Sequence, residues 1–216
     1  MISLRQDPPQ LCGGCPLRRL DMDTVTDLQP ENGAIGVMHV DRGQVLPNGG
    51  PLDRFLMLRA GALKVEYLNP EGRPEVAAFL LPGEPVVTAF ADEPVAITAL
   101  QESWICDLDP ERVHCAPDRS GEVLHALTHA IGAQAAQDQR RLILARSGEV
   151  AERLMWFLRD LSARQQSATV TLVMTRSDIA HYLETTAESV SRAFTDLVAQ
   201  GAIVRERPRR IRLASA

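Results

Sequence analysis

The spacing of apolar positions changes twice along this chain, and the changes divide it. Residues 1–30 have no regular period, contain several prolines, and read as loop-rich with a short helix near Asp23–Leu28. From about Gly33 to Leu108 the texture is short apolar runs: Phe55–Leu58, Leu63–Leu68, Val76–Leu81, Val95–Leu100 and Trp104–Leu108. Turn residues interrupt them at Asn48-Gly49-Gly50-Pro51, Asn69-Pro70-Glu71-Gly72 and Pro82-Gly83. Short strands and turns at this spacing predict an all-β sandwich or barrel.

After Pro117 the period becomes helical, to about Ser147. Leu124, Thr128, Ile131, Ala135, Asp138, Leu142 and Ala145 advance by alternating steps of four and three, the seam of a coiled coil. A single stripe of this kind more often packs on its own domain. As a seam it is thin in large residues, and Asp138 would face its own copy in a parallel dimer and repel it.

Ser147-Gly148 breaks the pattern. A second helix, Glu149–Gln165, turns Leu154, Phe157, Leu158 and Leu161 inward, and Ser167–Val173 is a short β-branched stretch. Thr175-Arg176-Ser177-Asp178 is a capping-box variant opening a helix through Ala180 and Leu183. Glu184-Thr185-Thr186 makes a tight turn, and Thr186 caps a further helix that stops near Gln200-Gly201. On that helix Glu188, Ser191, Arg192 and Thr195 share a polar face, whereas Val190, Phe194, Leu197 and Val198 form an apolar one. Ala202–Val204 and Ile211–Leu213 flank Arg-Glu-Arg-Pro-Arg-Arg as a hairpin. Helix, turn, helix and basic hairpin predict a winged helix-turn-helix. The expected class is α+β, divided at 1–30, 31–116, 117–147 and 148–216.

Charge sharpens this reading. The 216-residue chain has net charge −5, but Arg146–Ala216 holds 11 Arg and no Lys against 8 acidic residues, or +3, which leaves −8 for the rest. The basic end is the one a phosphate backbone would meet. On the polar face, Arg192 can pair bidentately with guanine O6/N7 and Glu188 can accept from a cytosine amino group. Ser191 can contact a base or a phosphate. Thr175, Arg176 and the wing arginines Arg207 and Arg209 would hold phosphates of double-stranded DNA. A scaffold that binds no DNA would leave the Arg192 face unexplained.

Composition excludes other classes. No apolar run approaches the roughly 20 residues that span a bilayer, so no membrane partner is expected. The N-terminus lacks a hydrophobic signal core, so the protein is expected in the cytoplasm, where its four cysteines should not be structural disulfides. No nucleophile–base constellation supports an enzyme. His39, His114, His125, His129 and His181 share no ligand spacing. Cys12-Gly13-Gly14-Cys15 is half of a common metal site. A zinc site built from the four cysteines is an open alternative.

The chain resembles the Crp/Fnr family of transcription regulators, in its Fnr branch. The residues that carry the likeness are Met174-Thr-Arg-Ser-Asp-Ile-Ala-His-Tyr-Leu183, Glu188-Ser-Val-Ser-Arg192 and Ala151-Glu-Arg-Leu154. The family's Glu-x-x-Ser-Arg reading pattern falls on Glu188, Ser191 and Arg192. The resemblance implies a TTGAT-type half-site in a two-fold symmetric operator bound by a homodimer. It makes the β region a cyclic-nucleotide-binding-like jelly roll and the long helix the dimer contact, with Ile131, Asp138 and Leu142 on its seam. It also implies RNA polymerase as a partner, without singling out a surface beyond Arg73 and the early loops.

Family members that bind a cyclic nucleotide use an arginine late in the roll. Here no Arg or Lys lies between Arg73 and Arg112, so no cyclic nucleotide is expected. The Fnr branch instead holds a 4Fe-4S cluster through Cys-x2-Cys-x5-Cys and one distant Cys. Cys12, Cys15 and Cys106 match three of these positions; the remaining one is Asp21, a carboxylate, with Cys115 as its rival. The implied control is oxygen or nitric oxide acting on the cluster, loosening the dimer and releasing DNA. A family member without a cluster, using haem, thiol redox or no ligand, is the other reading.

Overall fold

The computed structural model describes residues 35–46, 55–86, 95–108, 120–145 and 148–214. Cys12, Cys15, Asp21, Cys115 and the helix expected near Asp23–Leu28 lie outside them. The chain divides into two compact units, residues 1–68 with 78–137, and residues 69–77 with 138–216.

Between residues 35 and 108 the alternating stretches form strands. β1 (Ile35–Val40), β8 (Ser103–Leu108), β3 (Phe55–Ala60) and β6 (Pro85–Val86) make one sheet in that order. β2 (Val45–Leu46), β7 (Val95–Ala99), β4 (Leu63–Leu68) and β5 (Pro74–Leu80) make the other. The period of two decides which side is buried: Val95, Ile97 and Ala99 of β7 are buried, whereas Ala96 and Thr98 are half-buried. Val40, Leu58 and Ile105 from one sheet meet Leu63, Val65, Leu80 and Ile97 from the other in a single core. Each such side chain contributes roughly 1.5–3 kcal/mol when fully buried.

The turn between the sheets depends on Gly61. Its φ is +103°, and a Cβ there would lie 2.6 Å from the Ser103 Cα. Ser103 is itself fully buried, and its hydroxyl accepts from Ala62 N and donates to the Gln101 carbonyl.

Helix α1 (Ser120–Ala145) follows. Leu127 is buried, but Leu124, Thr128, Ile131 and Ala135 are exposed. Most of the seam therefore faces away from this chain's own β-roll, contrary to the commoner arrangement for a single stripe. Asp138 is half-buried. His125 and His129 are both exposed, as a solvated helix face requires.

In the second unit α2 (Val150–Gln165) buries Leu154, Phe157, Leu158 and Leu161, the face expected from its period. Its first turn is closed by a capping box between Glu149 and Glu152. The Gln165 side chain then grips Thr171 twice, donating to its carbonyl at 2.9 Å and accepting from its N–H at 2.8 Å. That grip holds β9 (Thr169–Thr171), the edge of a sheet ordered β10 (Ile203–Arg207), β11 (Arg210–Leu213), β9.

Helices α3 (Arg176–Tyr182) and α4 (Ala187–Ala199) form the helix-turn-helix. Between them Glu184 takes φ +50°, a left-handed conformation usually left to glycine. Arg153 donates to the carbonyl of Leu183 at 2.7 Å and so ties the turn to α2. One expectation fails on α4. Val198 is 41% exposed, and the buried face is Val190, Ala193, Phe194 and Leu197. Only one side of this helix meets the core, and Ala193, with its small side chain, lies nearer the centre of that side than Val198.

Candidate nucleic-acid interface

Thr175 and Thr186 start the two helices. Thr175 accepts from Asp178 N at 3.1 Å and donates its single hydroxyl proton to the Asp178 carboxylate at 2.6 Å. Thr186 accepts from Ser189 N at 3.1 Å. These contacts satisfy orphan N–H groups and fix the angle at which α4 leaves the turn. Thr175 is thus committed to the cap, and the charge beside it comes from Arg176.

The outer side of α4 presents Glu188, Ser191, Arg192 and Thr195, all exposed. Arg192 forms an ion pair with Glu188 one turn back, and both side chains are about three-quarters exposed. An exposed pair at this spacing is worth about 0.3–0.5 kcal/mol. It pre-orients the guanidinium and yields easily to a base edge. Ser191 and Thr195 donate to the carbonyls of Ala187 and Ser191, leaving hydroxyl lone pairs outward.

Arg176 and the wing complete the surface. The Arg176 guanidinium lies 3.5 Å from the centroid of the Phe194 ring, a cation–π stack. An open cleft of about 660 Å³ is lined by Arg176, Ser191, Thr195, Arg205, Glu206, Arg207 and Pro208. In it the Arg176 pKa is pulled down to about 10, first by burial and then by repulsion from Arg205.

The wing turns at Pro208-Arg209, with Arg207 opposite Arg210. A bulge at Glu206, between Arg205 and Arg207, supplies twist that an ordinary proline turn does not. Glu206 pairs with Arg212 at 3.2 Å, and the Arg209 carbonyl accepts from Leu172 N at 2.8 Å. Arg205, Arg207 and Arg209 remain exposed. The expected phosphate contacts Arg176 and Arg207 are thus brought to one cleft, and Arg209 sits at the wing tip. Arg205 enters that cleft as well, and no sequence spacing singled it out from the other wing arginines. Phe194 beneath Arg176 was legible only as a core residue.

Two cationic groups crowded in one cleft oppose folding and favour an anion. Arg205→Ala is expected to raise the thermal midpoint slightly while reducing the salt slope of DNA binding by about one. Folding lowers the Arg176 pKa, so the cost is present in full below pH 10 and is relieved as pH rises above it. The gain in midpoint should accordingly shrink above pH 10. Thermal melts at both pH values and salt titrations of binding would check it, and a loss of stability near neutrality would contradict it.

Of the expected metal ligands, Cys106 is described. It lies on β8 opposite Val37 of β1 and Met57 of β3. Ile105 points into the core, so Cys106 points outward, and it is half-buried. His39, read from sequence as one of five unconnected histidines, is buried and bonded to Glu102 at 2.8 Å.

A two-sheet β-roll joined to a winged helix with an arginine-rich cleft defines a DNA-binding transcription regulator. Residues 152–215 match the Crp-like helix-turn-helix domain. The chain is 27% identical over 223 residues to the transcriptional activator protein Anr of Pseudomonas aeruginosa, covering 95% of this chain and 89% of that one. It is 28% identical over 211 residues to the activator FnrA of Stutzerimonas stutzeri, covering 91% and 82%. The structure of FixK2 from Bradyrhizobium japonicum superposes with a TM-score of 0.70 at 23% identity, covering 84% and 93%. Residues 152–215 are thus a Crp-like helix-turn-helix domain, and over most of its length the chain is similar to transcription regulators of the Crp/Fnr family, in its Fnr-like branch. Among the described residues no helix is long and apolar enough to cross a membrane.

Proposed function

We propose that this regulator binds a two-fold symmetric TTGAT-type operator as a cytoplasmic homodimer and responds to oxygen through a 4Fe-4S cluster. The observation that carries the DNA part is the exposed Glu188–Ser191–Arg192 face beside the arginine cleft. Arg192 reads a guanine, Glu188 a cytosine and Ser191 an adjacent group, while Arg176, Arg207 and Arg209 hold phosphates. Thr175 acts by capping α3 and setting the register of Arg176. The seam exposed on α1 supports the dimer, with Ile131, Asp138 and Leu142 at the contact. RNA polymerase is a further partner on this reading.

Cys12, Cys15, Asp21 and Cys106 would hold the cluster. Cys106 suits the role because its thiol stands on the outward side of the sheet. On the same side the buried Trp104 Nε1, two residues along β8, lacks an acceptor. A bound 4Fe-4S cluster would supply thiolate–iron bonds that oxygen disrupts. The chain's own part is to supply the ligands, with a carboxylate at Asp21 weaker than a thiolate for iron.

Two measurements test the proposal. Protein isolated without air should contain iron and acid-labile sulfide and lose operator binding on exposure to air. Iron-free protein that still binds the TTGAT palindrome equally in air would leave a cluster-independent regulator. Arg192→Ala should cost about 1–3 kcal/mol and relax base choice at one position of each half-site. Unchanged binding and selectivity would remove Arg192 from the reading face.

A further inference from the structure

Among the described residues the buried polar side chains are His39, Ser103 and Asp178. Ser103 is answered by a turn and Asp178 by a helix cap. His39 differs, because carboxylates from two separate turns converge on its ring. Glu102, in the turn before β8, lies 2.8 Å from Nε2, and Asp41, just past β1, lies 3.9 Å from Nδ1. A neutral imidazole carries one N–H, and the nitrogen at hydrogen-bonding distance from Glu102 takes it. Nδ1 then turns a lone pair toward the Asp41 carboxylate, so that two acceptors face each other. A cation bound among these groups removes the conflict.

The geometry suits a metal ion. One ligand atom from each of His39, Asp41 and Glu102 lies within 4.8 Å of the other two. Around a single ion with bonds of about 2.1 Å, ligand atoms stand roughly 3–4 Å apart. The carboxylates can close that difference, since Asp41 is 80% and Glu102 52% exposed. His39 need not move: it is buried, pairs with Trp104 across β1 and β8, and packs edge-on against that ring at 4.9 Å. The chain on either side is already joined, since Gly43 donates to the Ala99 carbonyl and Ala99 to that of Gln44.

We propose that His39, Asp41 and Glu102 bind a divalent metal ion of the manganese or ferrous class, with water in the remaining positions. One imidazole and two carboxylates favour such ions over calcium and magnesium, which take oxygen ligands, and over soft ions, which take thiolates. The ion clamps the β1–β2 turn to the β7–β8 turn. It draws no ligand from the cysteines and stands apart from the cluster reading.

The test uses the full chain, stripped of metal with a chelator and titrated with Mn2+, with free Mn2+ read by electron paramagnetic resonance. Wild type should bind about one equivalent, and Cys106→Ser the same. Asp41→Asn and Glu102→Gln should each weaken binding at least about tenfold. Glu102→Gln keeps an oxygen that accepts from His39, so its loss of binding separates ligation from the hydrogen bond. Both altered side chains are exposed, so these variants carry the test even if His39→Gln does not fold. Mn2+ should also raise the thermal midpoint of wild type and of neither variant. No saturable Mn2+ binding by wild type, or equal binding by Asp41→Asn and Glu102→Gln, would overturn the proposal. Binding lost in Cys106→Ser would overturn it too, by placing the ion on the thiols.

Discussion

Ile131→Glu is expected to leave the protein folded and monomeric, and to lower operator affinity by roughly 10²- to 10⁴-fold. Ile131 is 49% exposed, so a charge there disturbs nothing inside this chain. In a dimer the same position meets its own copy, and two carboxylates would be buried against each other. The seam has little apolar area to offset that, since Leu124 is its other large residue among those with described side chains. Binding to one half-site should persist near wild-type strength, because α4 and the wing are untouched. Sedimentation together with binding to full and half operators would measure both effects. A dimer that survives the substitution would place the contact elsewhere.

Phe194→Ala is expected to destabilise the DNA-binding unit by about 3–5 kcal/mol, a large share of the 5–15 kcal/mol typical of a domain. The ring is fully buried and is also the platform under Arg176. Phe194→Leu separates the two roles. It keeps most of the buried volume and should cost much less stability, yet it removes the aromatic face that holds the guanidinium. Affinity should then fall without any change in base preference, since on the proposed reading Arg176 holds a phosphate and not a base. Urea unfolding and binding to matched and mismatched operators would distinguish the outcomes. Altered base selectivity in Phe194→Leu would contradict the assignment of Arg176.

Much of the fold was legible because the relevant forces act over one or two turns of chain. The period of α2 placed Leu154, Phe157, Leu158 and Leu161 inward, and the structure buries the same four. The Thr175–Asp178 box and the Thr186 cap open helices at the expected residues. Val198 misled because period alone assigns an arc of the helix and not the width of the surface that covers it. His39 and Glu102 lie 63 residues apart, and no spacing could announce their bond.

The polar face of α4 was determined by sequence alone: a cap, a 3.6-residue period and a polar stripe that no core would accept. Its setting was decided by tertiary structure. Arg176 reaches Phe194, and Arg205 reaches Arg176, only because the fold brings separate elements to one cleft. The same holds on β8, where strand pairing sets Cys106 between Val37 and Met57. Local patterns specify which side of an element is polar, because backbone geometry repeats. What that side meets depends on the packing of elements far apart in the chain.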